Sequence, residues 1–209
     1  MTDGQKETIG FYTTNDYLLI NGLLWGEDEQ TINALIHIIN EDGLGVMKEA
    51  RKLGYDVRWG CTKEEGEQIY QVYQKRFPVI SSETVKKQII ERARNDISNM
   101  MACMERLTTD LCLYRNIKSK FIADLAEGQT VDYLGFSSCS LQPHIAEQAM
   151  YGSGSCTLFV IKVPAGTPAI RLDQMPDVQN EPDEVILPPI KYFVEKIDKE
   201  SNMVYMRVV

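Results

Sequence analysis

The hydrophobic period of this chain changes once, at Thr109 and Asp110, and the change decides which class of fold is open to it. Upstream, apolar residues recur at helical spacing; downstream they come in short runs of strand length, punctuated by Gly, Pro, Asp and Asn. Helices first and strands afterwards describe an α+β fold rather than alternating βαβ units. The stretch Tyr12 to Leu24 puts Tyr17, Ile20, Leu23 and Leu24 on one helical face, with Thr13, Thr14 and Asn15 as candidate N-caps and Gly26 as the stop. Ile32, Leu35, Ile36 and Ile39 predict a second helix. Two weakly amphipathic helices are expected between Leu44 and Phe77, divided by the aromatic, glycine-bearing turn GYDVRWG. A long helix is predicted from Ser81 to Arg106, capped by Ser82, with Met100, Met101 and Met104 as core filling.

The second half reads as strands at Leu111 to Ile117, Tyr133 to Cys139, Cys156 to Val163, Ala169 to Leu172, Glu184 to Leu187, Tyr192 to Ile197 and Val204 to Val209. KYFVEKID and VYMRVV, separated by KESNM, predict a hairpin. Asp173 to Asp183 is an acidic loop with no core-forming pattern, and loops on a rigid sheet are where recognition concentrates.

Composition narrows the function. With 209 residues and 44% apolar content the chain can bury a sizeable core. It is expected to form one domain, mostly helical over residues 1–106 and β-rich over 107–209. A net charge of -8, with no lysine and arginine stripe, excludes sequence-independent nucleic-acid binding. The five cysteines are odd in number and widely spaced, and with only two histidines they signal neither a metal site nor a disulfide framework. No stretch approaches the roughly 18 apolar residues of a membrane span. The chain therefore reads as soluble, either cytoplasmic or exported by a route that it does not itself encode.

Chemistry is concentrated in three strand segments. Arg115 lies mid-strand in LYRNI, where a guanidinium turned towards a sheet interior needs a partner with several oxygens. A structural ion pair or the phosphates of a dinucleotide each meet that need. Ser137, Ser138 and Ser140 in GFSSCS serve either cross-strand hydrogen bonding or the orientation of a carboxylate or ribose. Cys139 among them is a small buried filler, since no histidine or helix start nearby lowers its pKa. Glu184 opens the strand EVIL, either as a solvated strand-initial acid or as a carboxylate that stabilises an oxocarbenium-like state from the 2-hydroxyl side of a ribose.

Taken together, these segments resemble the bacterial mono-ADP-ribosyltransferase exoenzymes of the arginine–serine–glutamate class, and are similar in pattern to the enzymatic component of clostridial binary toxins. LYRNI matches the family's aromatic–arginine strand, Ser138-Cys139-Ser140 its Ser-Thr-Ser strand, and Glu184-Val185-Ile186-Leu187 its glutamate strand. IKVPAGT and KYFVEKIDKE match flanking strands, and Tyr12, Tyr17 and Asn21 match an early aromatic, aromatic, asparagine spacing. The likeness covers roughly Phe11 to Gly26 and Leu107 to Val209, leaving a helical insertion near residues 41–80 without a counterpart.

The resemblance implies two roughly perpendicular antiparallel β-sheets with N-terminal helices, and NAD in the cleft between them as co-substrate, with no metal. It implies that Arg115 grips a phosphate of NAD, Ser138 orients the catalytic Glu184, and Ser140 adds to the dinucleotide site. Tyr151 would stack on nicotinamide, while Tyr12, Tyr17 and Asn21 would border the adenosine and phosphates. Two departures stand out. Cys139 replaces the family's central Thr, and Pro182 stands two before Glu184, where relatives carry the Glu or Gln that contacts the accepting side chain. Glu181 and Asp183 flank Pro182 as substitutes. The implied activity is mono-ADP-ribosyl transfer from NAD to an unidentified target protein; the alternatives are an NAD glycohydrolase with water as acceptor and a binding module that has lost catalysis.

Overall fold

A computed structural model describes residues 1–13, 17–33, 35–36, 55–56, 61–62, 83–118, 122, 124–148, 156–175 and 183–209. They fall into two compact units, Met1–Thr13 with Asn99–Val209, and Thr14–Ser98.

The second unit holds α2 (Tyr17–Trp25), further helical residues at 29–33 and 35–36, two short strands, β1 (Tyr55–Asp56) and β2 (Cys61–Thr62), and all but the last turn of α3 (Glu83–Ala102). Gly26 ends α2 at a φ of 71°, the left-handed conformation that glycine adopts without steric penalty. Within this unit Gly22 lets α2 approach the next turn of chain closely, because a Cβ there would stand 2.5 Å from the Leu35 side chain. The antiparallel β1–β2 pair takes in Tyr55 and Asp56 of GYDVRWG and the Cys61 and Thr62 that follow it; the rest of the expected turn lies outside the described residues. The remainder of the two helices expected between Leu44 and Phe77 lies outside the described residues, as does the Ser82 cap.

In the first unit, α1 (Asp3–Phe11) precedes the helix expected from Tyr12. Thr2 caps it: its hydroxyl accepts the Gln5 N–H while the Gln5 side chain accepts from the Thr2 N–H, satisfying two helix-end donors at once.

The rest of this unit is a sheet in the order β3-β8-β9-β6-β4-β7-β11-β10-β5. Its strands are β3 (Glu105–Arg106), β4 (Leu111–Lys118), β5 (Thr130–Tyr133), β6 (Ser137–Ser140), β7 (Cys156–Val163), β8 (Pro168–Arg171), β9 (Glu184–Leu187), β10 (Ile190–Asp198) and β11 (Met203–Val208), with α4 (Pro143–Gln148) after β6. Helices before a largely antiparallel sheet make this the α+β fold that the period change predicts. The ladder narrows to one residue pair, Tyr114 with Ser140, where β4 meets β6. It thus divides into a β3-β8-β9-β6 part and a β4-β7-β11-β10-β5 part. Pairing is antiparallel throughout except between β7 and β11, which run parallel.

Two boundaries differ from the sequence reading. The long helix stops at Ala102, because Glu105 and Arg106 pair with β8. The single strand expected from Tyr133 to Cys139 is two, β5 beside β10 and β6 between β9 and β4, parted at Leu134-Gly135-Phe136. The predicted hairpin forms as β10 and β11, with Asp198 accepting from the N–H groups of Glu200 and Ser201 and Asn202 in the left-handed region at φ 54°.

Leu113, Ile161, Val185, Leu187, Val194 and Met206 lie at the centre of the sheet's core, each almost wholly removed from water. Burying each such side chain contributes about 1.5–3 kcal/mol. The turn at Pro164–Thr167 is pinned to it by Leu107, which donates to the Thr167 carbonyl at 2.9 Å and accepts from the Gly166 N–H at 2.8 Å. Among the described residues, no helix is long and apolar enough to cross a membrane.

Candidate active site

Antiparallel register places the serine and glutamate strands side by side. Ser138 lies opposite Ile186 and Ser140 opposite Glu184, so Ser138, Ser140 and Glu184 share one face of the β6–β9 pair while Cys139 and Val185 occupy the other. Ser140, rather than Ser138, is therefore the serine directly across from Glu184. Both Ser140 and Glu184 are buried, at 7% and 8% exposure, whereas Ser138 keeps partial access to solvent.

The chain entering β9 is fixed to the chain leaving β6. The Asp183 carbonyl accepts from the Leu141 N–H at 2.9 Å and its carboxylate accepts from the Gln142 side-chain amide at 2.9 Å. The Gln142 N–H in turn donates to Ser140 Oγ at 3.0 Å. Asp183 thus sets the start of β9, and its carboxylate is already engaged. Glu181, Pro182 and Tyr151 lie outside the described residues.

Arg115 is the first β4 residue past the lone Tyr114–Ser140 pair, where β4 and β6 part like the tines of a fork. Its Nη2 donates to the Tyr133 hydroxyl at 2.9 Å, and its guanidinium carbon stands 5.0 Å from the centre of the Tyr133 ring. Nη1 is buried without a hydrogen-bond partner. Burial opposes the charged guanidinium, but Tyr133, Cys139, Tyr12 and Tyr192 favour it more in sum, and its pKa lies above the ordinary arginine value. It projects on the same side of β4 as Leu113 and Ile117, the side that faces the core residues Phe159 and Ile161. The structure thus brings Ser138, Ser140 and Glu184 onto one face and Arg115 to the core side of the fork. Cys139 belongs to the core side: burial pushes its thiol up to about 12, with Arg115 acting to lower it and Glu184 to raise it.

Tyr12 follows α1 and is 1% exposed. Its hydroxyl donates to the Phe136 carbonyl at 3.1 Å and its ring meets Phe136 edge-on at 5.7 Å, which ties α1 to the entry of β6. That burial leaves it no edge for adenosine. Tyr17 and Asn21 belong to α2 of the second unit, the first exposed at 42% and the second buried at 4%.

Two tyrosines to which sequence reasoning gives no role at the site shape the Arg115 surroundings, together with Ser137. Tyr133 holds the guanidinium, and Tyr192 donates to Ser137 Oγ at 3.2 Å while packing edge-on against Tyr133 at 6.3 Å. Burial raises the Tyr192 hydroxyl's pKa, with Cys139 adding to the shift. Alternation along TVDY and KYF signals inward tyrosines, but only the β5–β10 pairing brings them to Arg115.

No family model matches the chain, and no curated protein does. Solved structures similar to it include bacterial ADP-ribosyltransferases. The Vis toxin from Vibrio splendidus shares 18% identity over 87% of this chain and 85% of that one, with a TM-score of 0.45. An ADP-ribosyltransferase from Clostridium botulinum shares 14% over 99% and 87%, also with a TM-score of 0.45. The C3larvin toxin, an ADP-ribosyltransferase from Paenibacillus larvae, shares 15% over 77% and 92%, with a TM-score of 0.39.

Proposed function

We propose that the protein is an NAD-dependent mono-ADP-ribosyltransferase that holds NAD across the fork between β4 and β6. The supporting observation is that a buried carboxylate, Glu184, lies directly opposite Ser140, while one residue past the same β4–β6 contact the half-buried Arg115 keeps a buried N–H, that of Nη1, without an acceptor. A protein rarely buries an arginine without a carboxylate unless a ligand supplies the oxygens.

In this reading Arg115 holds an NAD phosphate, and Glu184 faces the 2-hydroxyl of the nicotinamide ribose. Nicotinamide leaves with the electron pair of the glycosidic bond. The carboxylate stabilises the positive charge that develops on the ribose, and the incoming nucleophile bonds to its anomeric carbon and loses a proton. Ser140, and Ser138 one pair along, keep Glu184 oriented. Tyr12 acts from behind by fixing the Phe136 carbonyl, whereas Tyr17, Asn21 and Tyr151 are further NAD contacts proposed from the motif match alone.

Water is the second acceptor, and one observation favours it. Pro182 stands where relatives carry the acceptor-contacting acid or amide, and the Asp183 carboxylate is engaged by Gln142, so only Glu181 remains to activate a protein nucleophile. NAD labelled on its adenosine half tests both readings. Label on a protein supports transfer and free labelled ADP-ribose alone supports hydrolysis, while intact NAD over a folded protein overturns both.

A further inference from the structure

Tyr114 extends the row of side chains that begins at Glu184. Glu184 lies opposite Ser140 on β6, and Ser140 lies opposite Tyr114 on β4, so the three stand on one face of three adjacent strands. Strands run about 4.8 Å apart, which sets Tyr114 and Glu184 roughly 10 Å apart at the backbone, with the small Ser140 between them in the row. Exposure rises along this face in two directions from the buried Glu184 and Ser140. At the fork end Ser138 is partly open to solvent; at the other end Tyr114 is half-buried and Cys112, the next residue on the same face of β4, is exposed. The proposed function holds NAD at the fork. The Tyr114 end is the one where Asp183 is bonded to Leu141 and Gln142, and the residue before Asp183 is Pro182, whose side chain has no hydrogen-bonding group. A nucleophile arriving there meets the Tyr114 hydroxyl. A hydrogen bond to the Cys112 thiol, and after it burial, raise the pKa of that hydroxyl above the ordinary tyrosine value. It is therefore neutral and no base, while its oxygen can still accept.

We propose that Tyr114 is the acceptor-side residue of the site, its hydroxyl oxygen accepting a hydrogen bond from the O–H or N–H of the incoming nucleophile while Glu184 stabilises the ribose. The assignment rests on the NAD-cleaving reading and adds where each reactant sits, with NAD at the fork and the nucleophile over Tyr114. The nucleophile's electron pair bonds to the anomeric carbon that nicotinamide has left, and its proton passes to solvent. Tyr114 orients the nucleophile and takes no proton.

Tyr114→Phe keeps the ring and removes the oxygen. Labelled nicotinamide supplied together with NAD lets two fates of the oxocarbenium-like ribose be measured in one reaction: return to labelled NAD, and capture by water as ADP-ribose. Return needs no acceptor. In Tyr114→Phe the ratio of return to capture is expected to rise about fivefold, the effect of losing one neutral hydrogen bond to the nucleophile. A merely structural role, or a smaller folded fraction, would lower both fates together and leave the ratio where it was. An unchanged or lower ratio, or loss of both fates in the variant alone, overturns this proposal and leaves the NAD-cleaving reading standing. Wild-type protein that leaves NAD intact overturns that reading, and this one with it.

Discussion

One tyrosine, Tyr133, engages Arg115 twice, by a hydroxyl that accepts from Nη2 at 2.9 Å and by a ring whose centre lies 5.0 Å from the guanidinium carbon. No carboxylate hydrogen-bonds to the guanidinium among the described residues. The charge is therefore held by groups that position it without neutralising it, which is what a cation kept for an anionic ligand requires. Tyr133→Phe strips the hydroxyl and takes the acceptor from a half-buried charged donor. A loss of about 1.5–3 kcal/mol is expected in urea unfolding. Tyr133→Ala should lose more, because the ring contact goes too; equal stability of the Phe variant and wild type would show that Nη2 has another acceptor.

Glu184→Gln keeps the shape of the side chain and removes its charge. If the carboxylate stabilises an oxocarbenium-like state, cleavage of NAD should fall by about a hundredfold or more, as for other transition-state electrostatic groups. NAD affinity should change little. Full activity in the variant, measured as nicotinamide release, would remove Glu184 from the reaction.

The two serines can be separated. Ser140 stands opposite Glu184 and Ser138 opposite Ile186. Ser140→Ala should therefore lower kcat for NAD cleavage more than Ser138→Ala, because an adjacent hydroxyl restricts the carboxylate more than one a further pair away. The Gln142 N–H loses its acceptor in the same variant, so a thermal melt must accompany the assay. A larger loss of kcat in Ser138→Ala would reverse the assignment.

Periodicity carries the fold class because the apolar runs after Thr109 are of strand length and bounded by turn residues, so that most of the strands are legible to within a few residues. It cannot separate β5 from β6. Tyr133 to Cys139 is a continuous apolar-rich run, and only pairing with β10 on one side and β9 on the other parts it. The α1 helix is legible in principle: Thr2 and Gln5 form a capping box, but the helix that follows has no apolar stripe to draw notice. At the site, the motifs pick out Arg115, Ser138, Ser140 and Glu184, yet spacing along a chain says nothing of which face each takes. The register, which pairs Ser140 with Glu184, and the fork, which sends Arg115 to the core side, come from contacts between distant strands. Tyr12 shows the opposite failure. Its place in a motif suggests a ligand contact, and its burial against Phe136 makes it a structural anchor.

Asp183 is expected to act on structure rather than on the accepting nucleophile, because its carboxylate accepts from Gln142 and its carbonyl from Leu141. Asp183→Ala should reduce NAD cleavage and protein labelling in the same proportion, through the start of β9. Selective loss of labelling would return the acid to the acceptor site.

Cys139 makes stability depend on alkaline pH. Its thiol is pushed from an ordinary 9.0 up to about 12 by burial, so the folded protein retains a proton that the unfolded chain releases. Between those values the unfolded state binds fewer protons, and stability falls as pH rises, on the order of 1.4 kcal/mol per unit. The contribution is complete below pH 9 and lost on approaching pH 12. Tyr192 titrates in the same direction and Cys139 adds to its shift, so the difference between wild type and a Cys139 variant reads the thiol together with its effect on Tyr192. Cys139→Ala should start less stable near pH 7, because a buried side chain is truncated, and should then lose less stability than wild type between pH 9 and the highest pH at which both refold. Parallel curves in urea unfolding across that range would show that the thiol ionises as readily in the folded protein as in the open chain, and that Arg115 holds the thiolate.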